Sequence, residues 1–150
     1  SIGFFLWIIL MVIFFNRIIF HHPMPDKLLP TLFILIAPPA VGFIAFVKLS
    51  GEMGVFATML YYFALFLTLL LFSQAKMFFQ LRYYLSWWAY SFPLSAITIA
   101  SILMFHKTWS QLIQSLAFTF FTILTLLIVF LLFRTVNAML KNEICISEEE

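Results

Sequence analysis

Residues 113–133 read IQSLAFTFFTILTLLIVFLLF, a run without a single charged side chain. An α-helix rises about 1.5 Å per residue, so a run of this length crosses a hydrocarbon core about 30 Å thick. Membrane-spanning strands alternate polar and apolar residues, whereas this run is apolar on every face. Helices satisfy all of their own backbone groups in lipid. The run therefore predicts a membrane-spanning helix.

Four more apolar runs precede this one. The predicted spans are residues 2–20, 28–47, 53–72, 87–105 and 113–133. Only 9% of the residues are charged, against about 25% in soluble domains, which excludes a water-soluble globular protein. We predict an all-α polytopic membrane helix bundle over residues 1–137 and a polar cytoplasmic tail over 138–150. The chain opens on Ser1 without a Met or a basic segment, so we expect the C-terminal portion of a longer protein.

The basic residues predict the orientation of the spans. With five spans, one side of the membrane receives six of the eight, namely Arg17, Lys27, Lys76, Arg82, Arg134 and Lys141. Positive charge favours the cytoplasmic side, so the C-terminus is expected in the cytoplasm and the protein in the plasma membrane, or in the inner membrane of a bacterium. Aromatic residues at the inner end of the fourth span are expected at the membrane interface: Tyr83, Tyr84, Trp87, Trp88 and Tyr90.

Several classes of function are disfavoured. A net charge of +2 with dispersed basic residues does not suggest nucleic-acid binding. The single cysteine, Cys145, supports neither a disulfide framework nor a cysteine metal site. No ionisable residue occupies the centre of a span, and the His21-His22 pair is expected to be solvated in a loop. We therefore expect no enzyme, no cofactor and no bound metal.

Proline distinguishes the second and fourth spans from the others. Pro38 and Pro39 fall in the middle of the second span, and Pro93 falls about two turns into the fourth. An interior proline kinks a helix at a cost of about 3 kcal/mol and frees a carbonyl, which in lipid needs a partner or a wet cavity. These two helices are therefore expected to face a protein interior or a pore. A harmless kink is the alternative.

A polar stripe marks the fourth span. Ser91, Ser95, Thr98 and Ser101 are spaced by four, three and three residues, which places them on one face of a helix, with Phe92 at its edge. Such hydroxyls serve either as helix–helix hydrogen bonds or as the wall of a weakly polar conduit. Small residues of the second span, including Gly42, allow the same two interpretations.

Two loops carry helix-end signals. Gly51 follows the second span, at the position where a helix commonly ends in a left-handed residue. Thr108 followed by Gln111 predicts a capping box that opens the fifth span.

The segment Trp87-Trp88-Ala89-Tyr90-Ser91-Phe92-Pro93 resembles the signature of the tellurite-resistance/dicarboxylate transporter family, which includes the plant slow anion channels. Residues 36–41, IAPPAV, and residues 50–52, SGE, resemble that family's seventh helix and its exit. The resemblance covers nearly the whole chain. It implies a ten-helix pore built from five hairpins, of which this chain supplies helices six to ten with its second and fourth spans innermost.

The resemblance also implies a role for Phe92, which matches the phenylalanine that gates the pore. It implies a homotrimer that passes small anions such as chloride, nitrate, malate or other dicarboxylates, with tellurite resistance attached to some bacterial names. We expect the pore to be lined by Pro38, Gly42, Ser91, Pro93, Ser95 and Thr98. Lys76 and Arg82 are expected to raise the anion concentration at the inner mouth; the alternative is that they only anchor the chain to lipid headgroups.

Three functions remain open at the level of sequence. The first is a passive anion pore gated by Phe92. The second is a secondary C4-dicarboxylate carrier, which needs a titratable group that these spans lack. The third is a membrane scaffold without transport, in which the hydroxyl stripes only join helices.

Overall fold

The computed structural model of the chain describes residues 2–20, 32–74 and 85–140, and all of its regular elements are helical. The α-helices are α1 (Ile2–Phe20), α2 (Ala37–Ser50), α3 (Val55–Ser73), α4 (Ser91–Thr108) and α5 (Gln111–Leu140). Two 3₁₀ segments lead into α-helices: residues 32–36 precede α2, and Leu85–Tyr90 precedes α4. The predicted all-α class is confirmed.

Within the described residues, four helical stretches are long and apolar enough to cross a membrane: Leu32–Ser50, Val55–Ser73, Ser86–Thr108 and Gln111–Leu140. They correspond to the second to fifth predicted spans, and α1 coincides with the first. Helix α5 continues past the predicted end at Phe133 and enters the predicted tail. Its 30 residues measure about 45 Å, which exceeds the hydrocarbon thickness. The rest of the tail lies outside the described residues.

Pro38 and Pro39 lie inside the helical stretch Leu32–Ser50, and Pro93 lies inside Ser86–Thr108, as the sequence predicts. The expected position in an α-helix interior was wrong, because each proline falls in the first turn of the α-helical part. Pro38 and Pro39 are the second and third residues of α2, and Pro93 is the third residue of α4. A proline in the first turn removes no hydrogen bond internal to the α-helix, although it donates none to the carbonyls of the 3₁₀ segment before it. The chain converts from 3₁₀ to α geometry just before each proline.

The core is centred on α4, which packs against α2, α3 and α5. Fully buried alanines (Ala40, Ala57, Ala64 and Ala100) allow close approach of the helix backbones, as small residues do in membrane bundles. The Phe43 and Tyr61 rings fill the space between α2 and α3, with centroids 5.5 Å apart. The buried Tyr61 hydroxyl donates to Ser101 Oγ at 3.2 Å and thereby joins α3 to α4.

The turn after α2 confirms the glycine signal. Gly51 adopts a left-handed conformation with φ of 74°, which is strained for any residue with a Cβ, and its N–H donates to the Val47 carbonyl at 3.0 Å. The Gly51 carbonyl in turn accepts a hydrogen bond from Lys107 Nζ at 2.9 Å. This bond places the end of α2 and the end of α4 at the same end of the bundle.

The capping box predicted at Thr108 does not form. Thr108 is the last residue of α4, and its Oγ1 donates to the Met104 carbonyl one turn earlier at 2.8 Å. Trp109 then ends α4 in a left-handed conformation with φ of 52°. Because Thr108 is still helical, its hydroxyl is committed to its own helix and does not cap α5.

We expect Tyr61→Phe to destabilise the bundle by about 0.5–1.5 kcal/mol, because the buried Ser101 hydroxyl loses its donor. The free energy of unfolding in mixed detergent measures this loss. Tyr62→Phe is the matched control, since Tyr62 is 51% exposed and its loss of a hydroxyl should leave stability unchanged. Equal stability of Tyr61→Phe and the wild type would contradict the structural role of this bond.

Candidate functional site

Helices α2 and α4 begin in the same way and lie against each other. The residues just before them, Ile36 and Tyr90, have nearly equal helical dihedrals, with φ of −70° in both and ψ of −34° and −29°. Each chain segment therefore passes from its 3₁₀ turn into the α-helix without an extended residue between them. A proline in the first turn then restricts φ. Both helix starts are consequently rigid.

Five aromatic rings hold the two helix starts together, and we call them the aromatic cluster: Phe33, Phe72, Trp87, Tyr90 and Phe130. Phe33 of the first 3₁₀ segment meets Tyr90 of the second edge to face, with centroids 4.8 Å apart at 83°. Phe72 of α3 lies 6.1 Å from Phe33, and Trp87 lies 5.9 Å from Tyr90 and 6.1 Å from Phe130 of α5. The cluster thus fixes both helix starts against α3 and α5.

Phe92 lies in the first turn of α4 and is 61% exposed, although Tyr90 before it and Pro93 after it are buried. Tyr90 is 6% exposed, and Pro93 is fully buried. Ser95, Ile99 and Ile102 follow Phe92 at steps of three, four and three, so they continue the same face of the helix. The ring therefore stands at one end of an accessible, uncharged face of α4.

The predicted hydroxyl stripe divides into two pairs. Ser91 and Ser95 are half-buried at the edge of this face, whereas Thr98 is 2% exposed and Ser101 is fully buried between helices. Ser91 Oγ donates to the Trp88 carbonyl at 2.8 Å, and Ser95 Oγ donates to the Phe92 carbonyl at 2.7 Å. Thr98 Oγ1 donates to the Leu94 carbonyl at 2.6 Å. Only the first pair reaches the exposed face.

These hydrogen bonds have a chemical consequence. An anion is bound by hydrogen-bond donors, and a hydroxyl group has one hydrogen to donate. The hydrogens of Ser91 and Ser95 are used by backbone carbonyls, so the side-chain oxygens present lone pairs to the face. The face holds no donor for an anion at these two positions until a hydroxyl rotates.

The other predicted lining residues are more scattered. Pro38 is half-buried and borders a groove of about 410 Å³ between α1 and α2, so it lies on the α1 side of α2. Gly42 is half-buried one turn further along α2. Pro93 is fully buried. Lys76 and Arg82 lie outside the described residues. The structure thus brings Ser91, Phe92 and Ser95 together but not Pro38.

Charged side chains of α2 to α5 lie towards the helix ends. Lys48 and Lys107 are exposed at the end that contains Gly51. Arg134 lies near the other end, with its guanidinium carbon 5.6 Å from the centroid of the Phe130 ring. Among residues 2–20, 32–74 and 85–140, no three His, Cys, Asp or Glu side chains are grouped to hold a metal ion.

Sequence reasoning missed the aromatic cluster. Tyr90 was predicted as an interfacial aromatic, but its ring is buried between the two helix starts. Phe33 was not singled out at all. The available signal was that both residues lie shortly before a proline-containing helix start, Phe33 five residues before Pro38 and Tyr90 three before Pro93. That spacing does not reveal that the two rings touch.

A family model described as a voltage-dependent anion channel matches residues 1–136. The chain belongs to this family. Its relatives include the S-type anion channel SLAH2 of Arabidopsis thaliana, 31% identical over 102 residues, which covers 68% of this chain and 20% of that protein. The S-type anion channel SLAH3 of the same plant is 29% identical over 136 residues, or 91% of this chain and 21% of that protein.

The voltage-dependent anion channel family also links the chain to archaea. An uncharacterized transporter of Methanocaldococcus jannaschii is 28% identical over 156 aligned positions, which cover 95% of this chain and 44% of that protein. The chain therefore spans between a fifth and under half of the length of these relatives. The family and these relatives are named for channels and transporters rather than for enzymes. The family resemblance expected from the sequence is confirmed.

The split in the hydroxyl stripe predicts a difference in thiol reactivity. In a Cys145→Ser background, Ser95→Cys should react with a membrane-impermeant methanethiosulfonate, whereas the buried Thr98→Cys should not. The reagent needs a thiolate, which forms in water and not in lipid. The rates of labelling in intact proteoliposomes measure the difference.

A matched control is Leu126→Cys on α5, the least buried of the four candidate spans. Leu126 is 65% exposed, and we expect lipid against it and no reaction. Equal labelling at positions 95 and 126, or labelling at 98 but not at 95, would contradict a water-accessible face on α4.

Proposed function

We propose that this chain forms part of a membrane pathway for small anions, and that the Phe92 ring is the gate of that pathway. Two observations support the proposal. The chain belongs to the voltage-dependent anion channel family. A large aromatic side chain projects from a rigid, buried helix start onto the accessible face of α4. The second observation carries the assignment of the gate to this residue.

A single ring is sufficient to close a narrow pathway. Hydrophobic constrictions exclude ions because the ion would have to shed its water without receiving replacement ligands. Phe92 supplies such a constriction, since its ring is uncharged and its base is fixed by buried neighbours. A small movement of the α4 start displaces the ring from the pathway.

We expect the proposed wall to bind anions weakly, so that a bound anion is released rapidly and conduction is favoured. No charged residue occurs between residues 91 and 105 of α4 or within α3. Selection would come from the hydroxyls of Ser91 and Ser95 after rotation, with Gly42 of α2 as a further proposed part of the wall. Pro93 and Thr98 lie buried behind this face, and Pro38 lies on the α1 side of α2. A fixed positive charge at the bilayer centre would hold an anion too tightly for rapid release. Lys76 and Arg82 are proposed to attract anions at the inner mouth.

Removal of the ring tests the gate. We expect Phe92→Ala to raise chloride or nitrate flux in liposomes that contain the intact protein. If the ring limits the open state to about 1–10% of molecules, the increase is about 10- to 100-fold. The control is Phe66→Ala on α3, which removes a ring of similar exposure that borders the groove between α1 and α3 and should leave flux unchanged.

The outcomes separate the three functions. Unchanged or lower flux in folded Phe92→Ala protein would remove Phe92 from the gate role. Saturable, pH-dependent uptake of malate or succinate, without passive chloride flux, would replace the channel with a carrier. If neither the wild type nor Phe92→Ala transports any anion, the scaffold function is favoured.

We further propose that the protein assembles as a homotrimer in the plasma membrane with a cytoplasmic C-terminus. The Lys107–Gly51 bond supports the orientation, because it brings Lys107 to the end of α2 that carries Lys48, while the predicted spans assign the other six basic residues to the opposite side. Cys145 in the tail is the single cysteine of this sequence, and it provides a test in protein whose cysteines elsewhere are replaced by serine. We expect an impermeant thiol reagent to label it only after the cells are permeabilised, and labelling of intact cells would reverse the orientation.

A further inference from the structure

We propose that Phe33 is a positioning residue for the gate: its edge-to-face contact with Tyr90 holds the start of α4 so that the Phe92 ring stays in its blocking position. This inference rests on the proposed gating role of Phe92 and adds a part that neither the family assignment nor the sequence pattern supplies. The contact joins residues 57 positions apart in sequence, at 4.8 Å between ring centroids.

The first step is the rigid link from Tyr90 to Phe92. Tyr90 is the residue immediately before α4, and its dihedrals are already helical. Ser91 is fastened to the preceding 3₁₀ segment by its bond to the Trp88 carbonyl, and Pro93 restricts the backbone on the other side of Phe92. No flexible residue separates the Tyr90 ring from the gate. A displacement of Tyr90 is therefore passed to Phe92.

The second step is the support behind Phe33. Its ring is 5% exposed and lies between Tyr90 and Phe72 of α3, whose centroid is 6.1 Å away. Phe33 also precedes the rigid start of α2 by four residues. The ring thus transmits the position of both α2 and α3 to the residue at the base of α4. An edge-to-face pair has a preferred geometry, unlike a contact between aliphatic side chains.

A purely structural role makes a different prediction. A buried phenylalanine contributes to packing wherever it lies, and its loss would reduce folded protein without any dependence on residue 92. A positioning role requires that the effect on flux disappear once the gate ring is absent. The dependence of one substitution on the other separates the two roles.

The principal variant is Phe33→Leu, which keeps an apolar side chain in the core and removes the ring. We expect it to raise chloride flux per folded protein about two- to tenfold, the ratio that corresponds to the energy of an aromatic pair. In the Phe92→Ala background it should produce no further increase. An equal increase in both backgrounds, or no increase in either, would overturn the positioning role.

The matched control is Phe46→Leu. Phe46 pairs with Phe56 at 5.4 Å and 66°, a geometry close to that of Phe33 and Tyr90, at the opposite ends of α2 and α3 from the aromatic cluster. We expect Phe46→Leu to leave flux per folded protein unchanged. A rise equal to that of Phe33→Leu would show that any loosened ring pair opens the pathway, and the assignment to Phe33 would be wrong.

The partner position gives a second test. Tyr90→Leu should raise flux as Phe33→Leu does, and Tyr90→Phe should restore it because the ring contact returns without the hydroxyl. If Tyr90→Phe behaves like Tyr90→Leu, the hydroxyl and not the ring contact positions the gate. Failure of Phe92→Ala to raise flux would refute the gate itself, whereas its success combined with failure of Phe33→Leu would refute only the positioning role.

Discussion

A proline has no N–H to donate, and this absence determines where the two central α-helices begin. In lipid, a carbonyl deprived of its partner receives no hydrogen bond from water. The first turn of an α-helix is the place where the missing N–H has no intrahelical acceptor in any case. Pro38 and Pro93 occupy such turns, and a 3₁₀ segment carries the chain to each of them. Phe33 and Tyr90, whose rings are in contact, each belong to one of these segments.

The lipid environment also explains why the hydroxyl groups of Ser95 and Thr98 donate to backbone carbonyls of the preceding turn of α4. A serine or threonine side chain in a helix can donate to a carbonyl of the preceding turn, and in lipid this bond replaces the one that water would provide. Thr98 and Ser95 both take this option, although one is buried and the other lies at an accessible edge. A stripe of hydroxyls therefore satisfies its own helix first. A hydroxyl group of the stripe binds another helix or an ion only where that partner competes with the carbonyl of its own helix.

The lengths of the apolar runs and the residues of the turns were enough to predict the helices. They did not predict where 3₁₀ geometry changes to α geometry within a helical stretch. Residues 32–50 form one apolar stretch, and nothing in their hydropathy marks the change from 3₁₀ to α geometry at Ala37. Gly51 was predictable because a left-handed helix end excludes most other residues. The Thr108 capping box failed because the same residue also fits the last turn of α4. The Phe33–Tyr90 contact was out of reach, since one sequence contains no record of which distant rings meet.

The proposed gate and the proposed wall share a hydrogen bond, which connects closure with selectivity. Ser95 Oγ donates to the carbonyl of Phe92 itself. While that carbonyl stays in place, the Ser95 hydrogen is occupied and the face offers lone pairs, which repel an anion. A movement of the α4 start that displaces the Phe92 carbonyl would also release the Ser95 hydroxyl. Opening of the ring and exposure of a donor for the anion would then be two effects of one backbone movement, and the aromatic cluster is the part of the fold that opposes it.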